Sequence, residues 1–286
     1  MLLVSVYLLI ILSTVTQSAS TKLFARGGAD STVFNAIKSC TALVLFALMA
    51  AFGFTLHLPT VAFGLLYGAC LSLSMFAGYR ALCLGPMALT SMLVSFSVCL
   101  PLVWGIALEG ETPSVLGYVG FALLLCALVT TNADKLRGGR TGSTDYGAWL
   151  LWILVTFLCN GACSILQKKH QLLYPESYSR EFMLFAMLLC AVVFTVLAAS
   201  RLSLSEFRAT GGKRFGVLSG VCNGMASFLT LVLAGMENAS VLFPVLSAGT
   251  ILGSLLFGRF FFRERLRINH YAALVLGTAA VVLLKL

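Results

Sequence analysis

The chain has 286 residues, 59% hydrophobic and only 10% charged, with a net charge of +9 and a mean hydropathy of +0.99. A water-soluble domain carries about 25% charged residues, so the composition excludes one, and no polar stretch is long enough to fold as a separate soluble domain. The positive charge calls for no nucleic acid partner, because basic loops beside anionic lipid account for it.

A membrane span needs roughly 20 mostly apolar residues. The sequence predicts ten, over about 2–21, 33–54, 60–84, 86–108, 114–132, 146–167, 180–200, 213–235, 239–259 and 268–285. The longest connections, about 133–145 and 168–179, are expected to be surface loops. In lipid every backbone N–H and C=O must be paired internally, so spans are helices or closed barrels. Barrel strands alternate apolar and polar residues; Ala42–Phe54 and Ala272–Leu284 do not, which predicts helices throughout. Residues 1–20 have the apolar core and small-residue tail of a signal peptide. No Lys or Arg precedes that core, however, and the segment has a counterpart in the second half, so it is read as helix 1.

Helix 1 carries Ser13, Gln17 and Ser20 at i, i+4 and i+7, on one face. Helix 2 places Lys38 within a span, one turn after Asn35 and one before Thr41. Helix 3 sets Gly64, Gly68 and Ser72 four residues apart, a spacing that lets helices approach closely, and ends with Arg80 one turn after Phe76. In helix 6, Thr156, Asn160 and Cys163 repeat the spacing of the helix 1 face. Helix 8 repeats helix 3: FGLLYGACLSLSMFAGYRALC at 63–83 returns as FGVLSGVCNGMASFLTLVLAG at 215–235, both opening Phe-Gly with a Cys seven residues after the Phe. Helix 8 thereby gains its own stripe, Gly216, Gly220 and Gly224, and a polar one, Asn223, Ser227 and Thr230. An internal repeat in so hydrophobic a chain marks a membrane transporter built from two related halves.

Each of these features has two readings. Gln17 and Asn160 are either substrate-contacting amides near the repeat interface or bonds between neighbouring helices. The glycine stripes are best read as packing seams, and the Asn223 stripe as the lining of a cavity. Lys38 and Arg80 either form a cationic site for a carboxylate or phosphate or snorkel to the surface. The candidate substrate-binding residues are therefore Gln17, Lys38, Arg80, Asn160 and Asn223.

Nothing points to catalysis. The nine cysteines all fall in apolar segments, where they act as small hydrophobes. The three histidines, His57, His170 and His270, lie at or near predicted helix ends without metal-ligand spacing. An embedded enzyme needs a nucleophile–base pair or metal ligands at membrane depth, so no catalytic residue, metal or cofactor is predicted. The ten acids fall in connections or at helix ends. Facilitated diffusion or exchange is accordingly expected rather than a carboxylate proton relay, with Glu237 at the helix 8–9 junction as the alternative coupling site.

The chain resembles, over essentially its whole length, the EamA-like ten-helix branch of the drug/metabolite transporter superfamily. Phe34-Asn35-Ala36-Ile37-Lys38 is similar to the Phe-x-x-x-Arg pattern of helix 2 in that family. Phe262-Arg263-Glu264-Arg265-Leu266 followed by Gly277, and more loosely Glu109-Gly110-Glu111-Thr112-Pro113 followed by Gly117 and Gly120, are similar to its turn into the fifth helix of each repeat. The resemblance implies five-helix inverted repeats, alternating access, and a cavity lined mainly by helices 1, 3, 4, 6, 8 and 9. The chain departs from it at Pro101 and Pro244, which are not equivalently placed. It also lacks the helix 1 carboxylate of the distantly related small multidrug carriers.

The expectation is an all-α membrane protein of ten helices, with repeats at 1–132 and 146–286 joined by 133–145. It would carry small polar metabolites, amino-acid-like or otherwise anionic or zwitterionic. Alternatives are a lipid or lipid-linked-sugar flippase and a non-transporting enzyme or assembly subunit. Its partners would be solute and membrane lipid, as a monomer or homodimer in the plasma (cell inner) membrane. The excess of Lys and Arg in connections after odd-numbered helices puts both termini outside by the positive-inside rule, whereas the family resemblance implies cytosolic termini.

Overall fold

The computed structural model describes residues 2–25, 30–84, 90, 93–137, 146–175, 177–200, 212–261 and 268–285. Among them run α1 (Leu2–Ala25), α2 (Ser31–Ala51), α3 (Leu58–Leu84), α4 (Cys99–Leu108), α5 (Val115–Arg137), α6 (Tyr146–Leu173), α7 (Ser179–Ala199), α8 (Lys213–Met236), α9 (Ala239–Phe261) and α10 (Ile268–Lys285). A short 3-10 segment, Phe96–Val98, leads into α4. No strand occurs among the described residues. Seven helices (α1, α2, α3, α6, α7, α8 and α9) are long and apolar enough to cross a membrane. The protein is an all-α, multi-pass membrane protein. Leu8, Leu12, Leu150, Leu154, Val192 and Val196 are exposed, and lipid rather than water suits such outward-facing apolar residues.

The predicted fourth span, 86–108, lies partly outside the described residues, as does most of the 133–145 connection. The expected loop at 168–179 is corrected. α6 continues through Leu173 because Gln167, Lys168, His170 and Gln171 are buried and the amides find partners, Gln167 donating to the Ser227 carbonyl at 3.2 Å. At 1.5 Å per residue its 28 residues span about 42 Å, more than the roughly 30 Å hydrocarbon core.

The described chain forms two compact units, each drawing on both ends of the sequence. The first contains residues 1–72 and 166–235; the second contains 73–165 and 236–286. In the first, α2 packs along α7. Its core holds Ile10, Phe46, Phe182, Met183, Phe194 and Leu231, all essentially inaccessible. Asp30 starts α2 by accepting the Thr32 N–H at 2.7 Å, which satisfies one of the first-turn donors a helix leaves unpaired. In the second unit α10 packs along α5 and α9, and α9 on α4. There Leu124, Leu242, Ala273 and Ala280 are buried.

The small-residue stripes are packing seams of the first unit. A Cβ built on Gly68 would lie 2.6 Å from the Ala186 carbonyl oxygen of α7, and one on Gly64 2.6 Å from that of Phe182. Ser72 completes the row by donating to the Cys190 sulfur at 3.3 Å. The second stripe lies on α2: a Cβ on Gly220 would fall 2.6 Å from the Lys38 carbonyl oxygen, and one on Gly216 2.8 Å from Ile37.

Candidate functional site

In the first unit, Gln17 and Asn223 meet. Gln17 Nε2 donates to Asn223 Oδ1 at 3.2 Å, joining α1 to α8. Asn223 is buried, as are Ser13 and Ser20, which flank Gln17 on its helix face. One turn before Asn223, the Ser219 hydroxyl is fully buried and has no hydrogen-bond partner among the described residues. Such a group costs about 1–3 kcal/mol unless a polar atom reaches it. The result is a short polar face inside an apolar unit.

Lys38 is buried at 5% exposure, so it does not reach the surface by snorkelling. Its ammonium is within electrostatic reach of the Cys190 sulfur, and among the described residues no acidic side chain pairs with it. Burial of a lysine without a counter-ion is unfavourable. It is tolerated where an anion arrives or where the stem packs well.

In the second unit, Asn160 Oδ1 accepts from Ser74 Oγ at 2.6 Å, joining α6 to α3. Thr156, one turn earlier, is buried and turns its hydroxyl back to the Trp152 carbonyl. Arg80 is exposed, with its guanidinium carbon 5.4 Å from the Phe76 ring centroid. That placement favours the snorkelling reading of Arg80 over the binding one.

Three arrangements escape the sequence reading. In the second unit, the Glu111 carboxylate accepts the backbone N–H groups of Ala239 at 2.7 Å and Ser240 at 2.8 Å. It thus seats negative charge on the N-terminus of α9, where the helix dipole favours it. In the first unit, Glu181 Oε1 accepts from the Thr55 N–H at 3.2 Å, and a cavity of 390 Å³ is lined by Thr55, Ser177, Tyr178, Ser179, Arg180, Glu181, Phe228 and Val232. None of the five candidate residues lines it.

Beside that cavity runs a buried chain of polar groups. Ser179 Oγ accepts from Gln171 Nε2 at 2.9 Å, Gln171 Nε2 lies 3.2 Å from His170 Nδ1, His170 Nε2 lies 3.1 Å from Thr60 Oγ1, and Thr60 Oγ1 lies 2.9 Å from His57 Nδ1. His170 and Thr60 are fully buried. Aromatic rings enclose the chain. Tyr178 stacks on His57 at 4.5 Å, Tyr174 meets both histidines, and Phe63 and Phe182 pack on His170. Tyr178 has φ +55°, a left-handed conformation costing a non-glycine residue roughly 1–2 kcal/mol. The signal for this cluster was the pair His57 and Thr60, three residues apart at a helix start, but its partner lies 110 residues away.

No family model matches the chain, and no curated protein is similar to it. A solved structure described as a crystal structure of a protein is similar at TM-score 0.80 and 15% identity, covering 97% of this chain and 94% of that one. At that identity the likeness establishes the fold alone.

Proposed function

We propose that the chain is a secondary transporter of small polar metabolites, working by alternating access, in the EamA-like branch of the drug/metabolite transporter superfamily. Its helices are read as ten crossings in two inverted five-helix repeats, 1–132 and 146–286. One observation carries this reading, the pair of seams in the first unit. Helix 3 of the first repeat rests Gly68 on the carbonyl of Ala186, and helix 8 of the second rests Gly220 on the carbonyl of Lys38, both at 2.6 Å. Gly220 follows Gly68 by 152 residues (220 − 68) and Ala186 follows Lys38 by 148 (186 − 38). Each repeat's third helix therefore leans on the other's second helix, at intervals that agree to about one helical turn. A pseudo-two-fold relation between halves produces such reciprocity, and carriers use it to exchange outward-facing and inward-facing states. The amides support the same reading: helix 1 bonds helix 8 through Gln17, and helix 6 bonds helix 3 through Asn160.

The buried Lys38 supports a solute with an anionic group, amino-acid-like or otherwise anionic or zwitterionic. A charge costs about 2.5–3.5 kcal/mol at a helix centre on insertion scales and less toward the ends; Lys38 lies about two turns inside α2, and a bound carboxylate or phosphate would offset its cost. The chain is not read as an enzyme. Its partners are solute and lipid, its state monomer or homodimer, its place the plasma (cell inner) membrane.

The test is a thermal-shift screen of the purified protein against metabolites, followed by uptake and exchange of the hits in proteoliposomes. Gln17→Leu and Asn160→Leu should weaken uptake while folded protein is retained. Vesicles that move no metabolite but scramble labelled lipid would replace this reading with a flippase. Movement of neither, with stoichiometric copurification of another chain, would replace it with an assembly subunit.

A further inference from the structure

The chain from Ser179 to His57 has a direction. The Gln171 amide places its NH2 toward both Ser179 Oγ and His170 Nδ1, so Nδ1 is an acceptor and the neutral ring carries its hydrogen on Nε2. That hydrogen donates to Thr60 Oγ1. The Thr60 hydroxyl lies 2.9 Å from His57 Nδ1; with one hydrogen and two lone pairs it can donate to that nitrogen or accept from it. The one Thr60 hydroxyl thus bridges both imidazoles.

We propose that His57, Thr60 and His170 form a proton-binding site, linked through Gln171 and Ser179 to the neighbouring cavity, that makes this carrier proton-linked. A proton taken up at His170 Nδ1 turns that acceptor into a donor. It then faces the Gln171 NH2, donor against donor, and the amide must rotate to present Oε1. Rotation withdraws the NH2 from Ser179 Oγ, whose residue lines the cavity. A proton taken up instead at His57 fixes Nδ1 as a donor to Thr60 Oγ1, and a Thr60 hydrogen directed at it must turn away. Each case adds one proton from water and breaks no covalent bond. Because the rings share one hydroxyl, a charge on either disfavours a charge on the other, and the pair binds one proton as a unit.

The surroundings leave few competitors. From the connections, Tyr174 and Tyr178 contact the histidines through their rings. From α7, Arg180 points its guanidinium at the Met49 carbonyl and Glu181 is engaged with Thr55. On α6, Lys168 and Lys169 precede His170 by two and one residues, which turns them to other faces of the helix. α3 presents Phe63 and α8 presents Gly235, at the Gln171 amide; neither is ionisable. His57 is the ionisable group that faces His170 through Thr60. A proton held on this pair provides coupling without the membrane-depth carboxylate that the sequence lacks.

The coupling role rests on the transporter reading; the proton site itself does not, and the test separates them. The full chain in lipid nanodiscs, labelled with [15N]histidine, is titrated by NMR from about pH 8 to 5. The His170 ring should be Nε2–H at the alkaline end, and the two rings should respond together over one interval. Thr60→Val should uncouple them, and Gln171→Leu, which leaves the Thr60 bridge, should not. A His170 ring with its hydrogen on Nδ1 at high pH, two ring signals that never move, or identical titrations with and without the Thr60 hydroxyl would overturn the site. In proteoliposomes carrying a solute found by screening, uptake should follow an imposed pH gradient in wild type and lose that dependence in His57→Gln and Thr60→Val. Gradient-independent uptake in wild type would overturn the coupling. A protein that moves no solute would sink the transporter reading and leave the NMR result standing.

Discussion

Replacing Gly220 or Gly68 with alanine should destabilise the protein, although alanine is the better helix former. The built Cβ at Gly220 lies 2.6 Å from both the Lys38 carbonyl oxygen and the Thr41 Cβ, and the one at Gly68 lies 2.6 Å from the Ala186 carbonyl oxygen. Ordinary contact begins near 3.4 Å, so each pair of helices must part by 0.8 Å (3.4 − 2.6). The obstacle at Gly68 is backbone, and at Gly220 backbone together with a Cβ; neither can rotate away. Overpacking of this kind costs about 1–3 kcal/mol, against a gain of about 1 kcal/mol from exchanging a helical glycine for alanine. The net loss is up to about 2 kcal/mol. Gly224 is the internal control, since its Cβ would meet only side chains, the nearest being Phe46 at 3.4 Å. Gly224→Ala should be neutral or stabilising by up to about 1 kcal/mol. Thermal unfolding in detergent, read by tryptophan fluorescence, distinguishes the three. If Gly220→Ala and Gly68→Ala melt at or above Gly224→Ala, the helices are not in backbone contact. If only one of the two is destabilised, the reciprocity of the seams fails with it.

Lys38→Met should depress uptake of carboxylates more than of neutral analogues in a paired transport assay, because only the charged solute loses its counter-ion; equal effects would leave Lys38 a packing residue. Glu111→Ala should lower the melting temperature, since two N–H donors at the start of α9 lose a charged acceptor and hydrogen bonds to charged groups are worth about 1.5–3 kcal/mol. Glu111→Gln, keeping one carbonyl acceptor, should fall between that variant and wild type, and a full loss in Gln would contradict this. A double-mutant cycle of Gln17→Leu with Asn223→Leu should return a coupling near 0.6 and at most about 1.7 kcal/mol, the range of interhelical hydrogen bonds in membranes; additive losses would mean that the bond contributes nothing.

Helix positions were legible because the membrane imposes a single rule on the chain, that backbone must be paired within helices. The rule fails to mark an end where polar side chains are buried, and so α6 runs on through His170 and Gln171 beyond its predicted limit near 167. The glycine stripes were legible as seams because spacing alone determines which residues share a face. Their partners were not, since nothing in Gly220 announces that it will meet Lys38. Of the candidate residues, Gln17 and Asn223 are hydrogen-bonded to each other, a pairing across 206 residues that helix spacing does not announce. Arg80 turns outward over Phe76 because its position near a helix end allows the charge to stay solvated.

The polar groups that the sequence reading passed over share a feature: each is completed across a long interval of chain. Glu111 reaches the start of α9 over 128 residues, Glu181 reaches Thr55 over 126, and His170 reaches Thr60 over 110. Periodicity describes a helix against its own neighbours and is blind to such pairs. Ionisable residues that look peripheral by position, at the ends of spans, are therefore joined to the interior by partners from the other half of the chain. For His170 the consequence is chemical as well as structural. A histidine at a helix end in sequence is, in the fold, a fully buried base whose two nitrogens are already committed, so any proton it accepts must rearrange its neighbours.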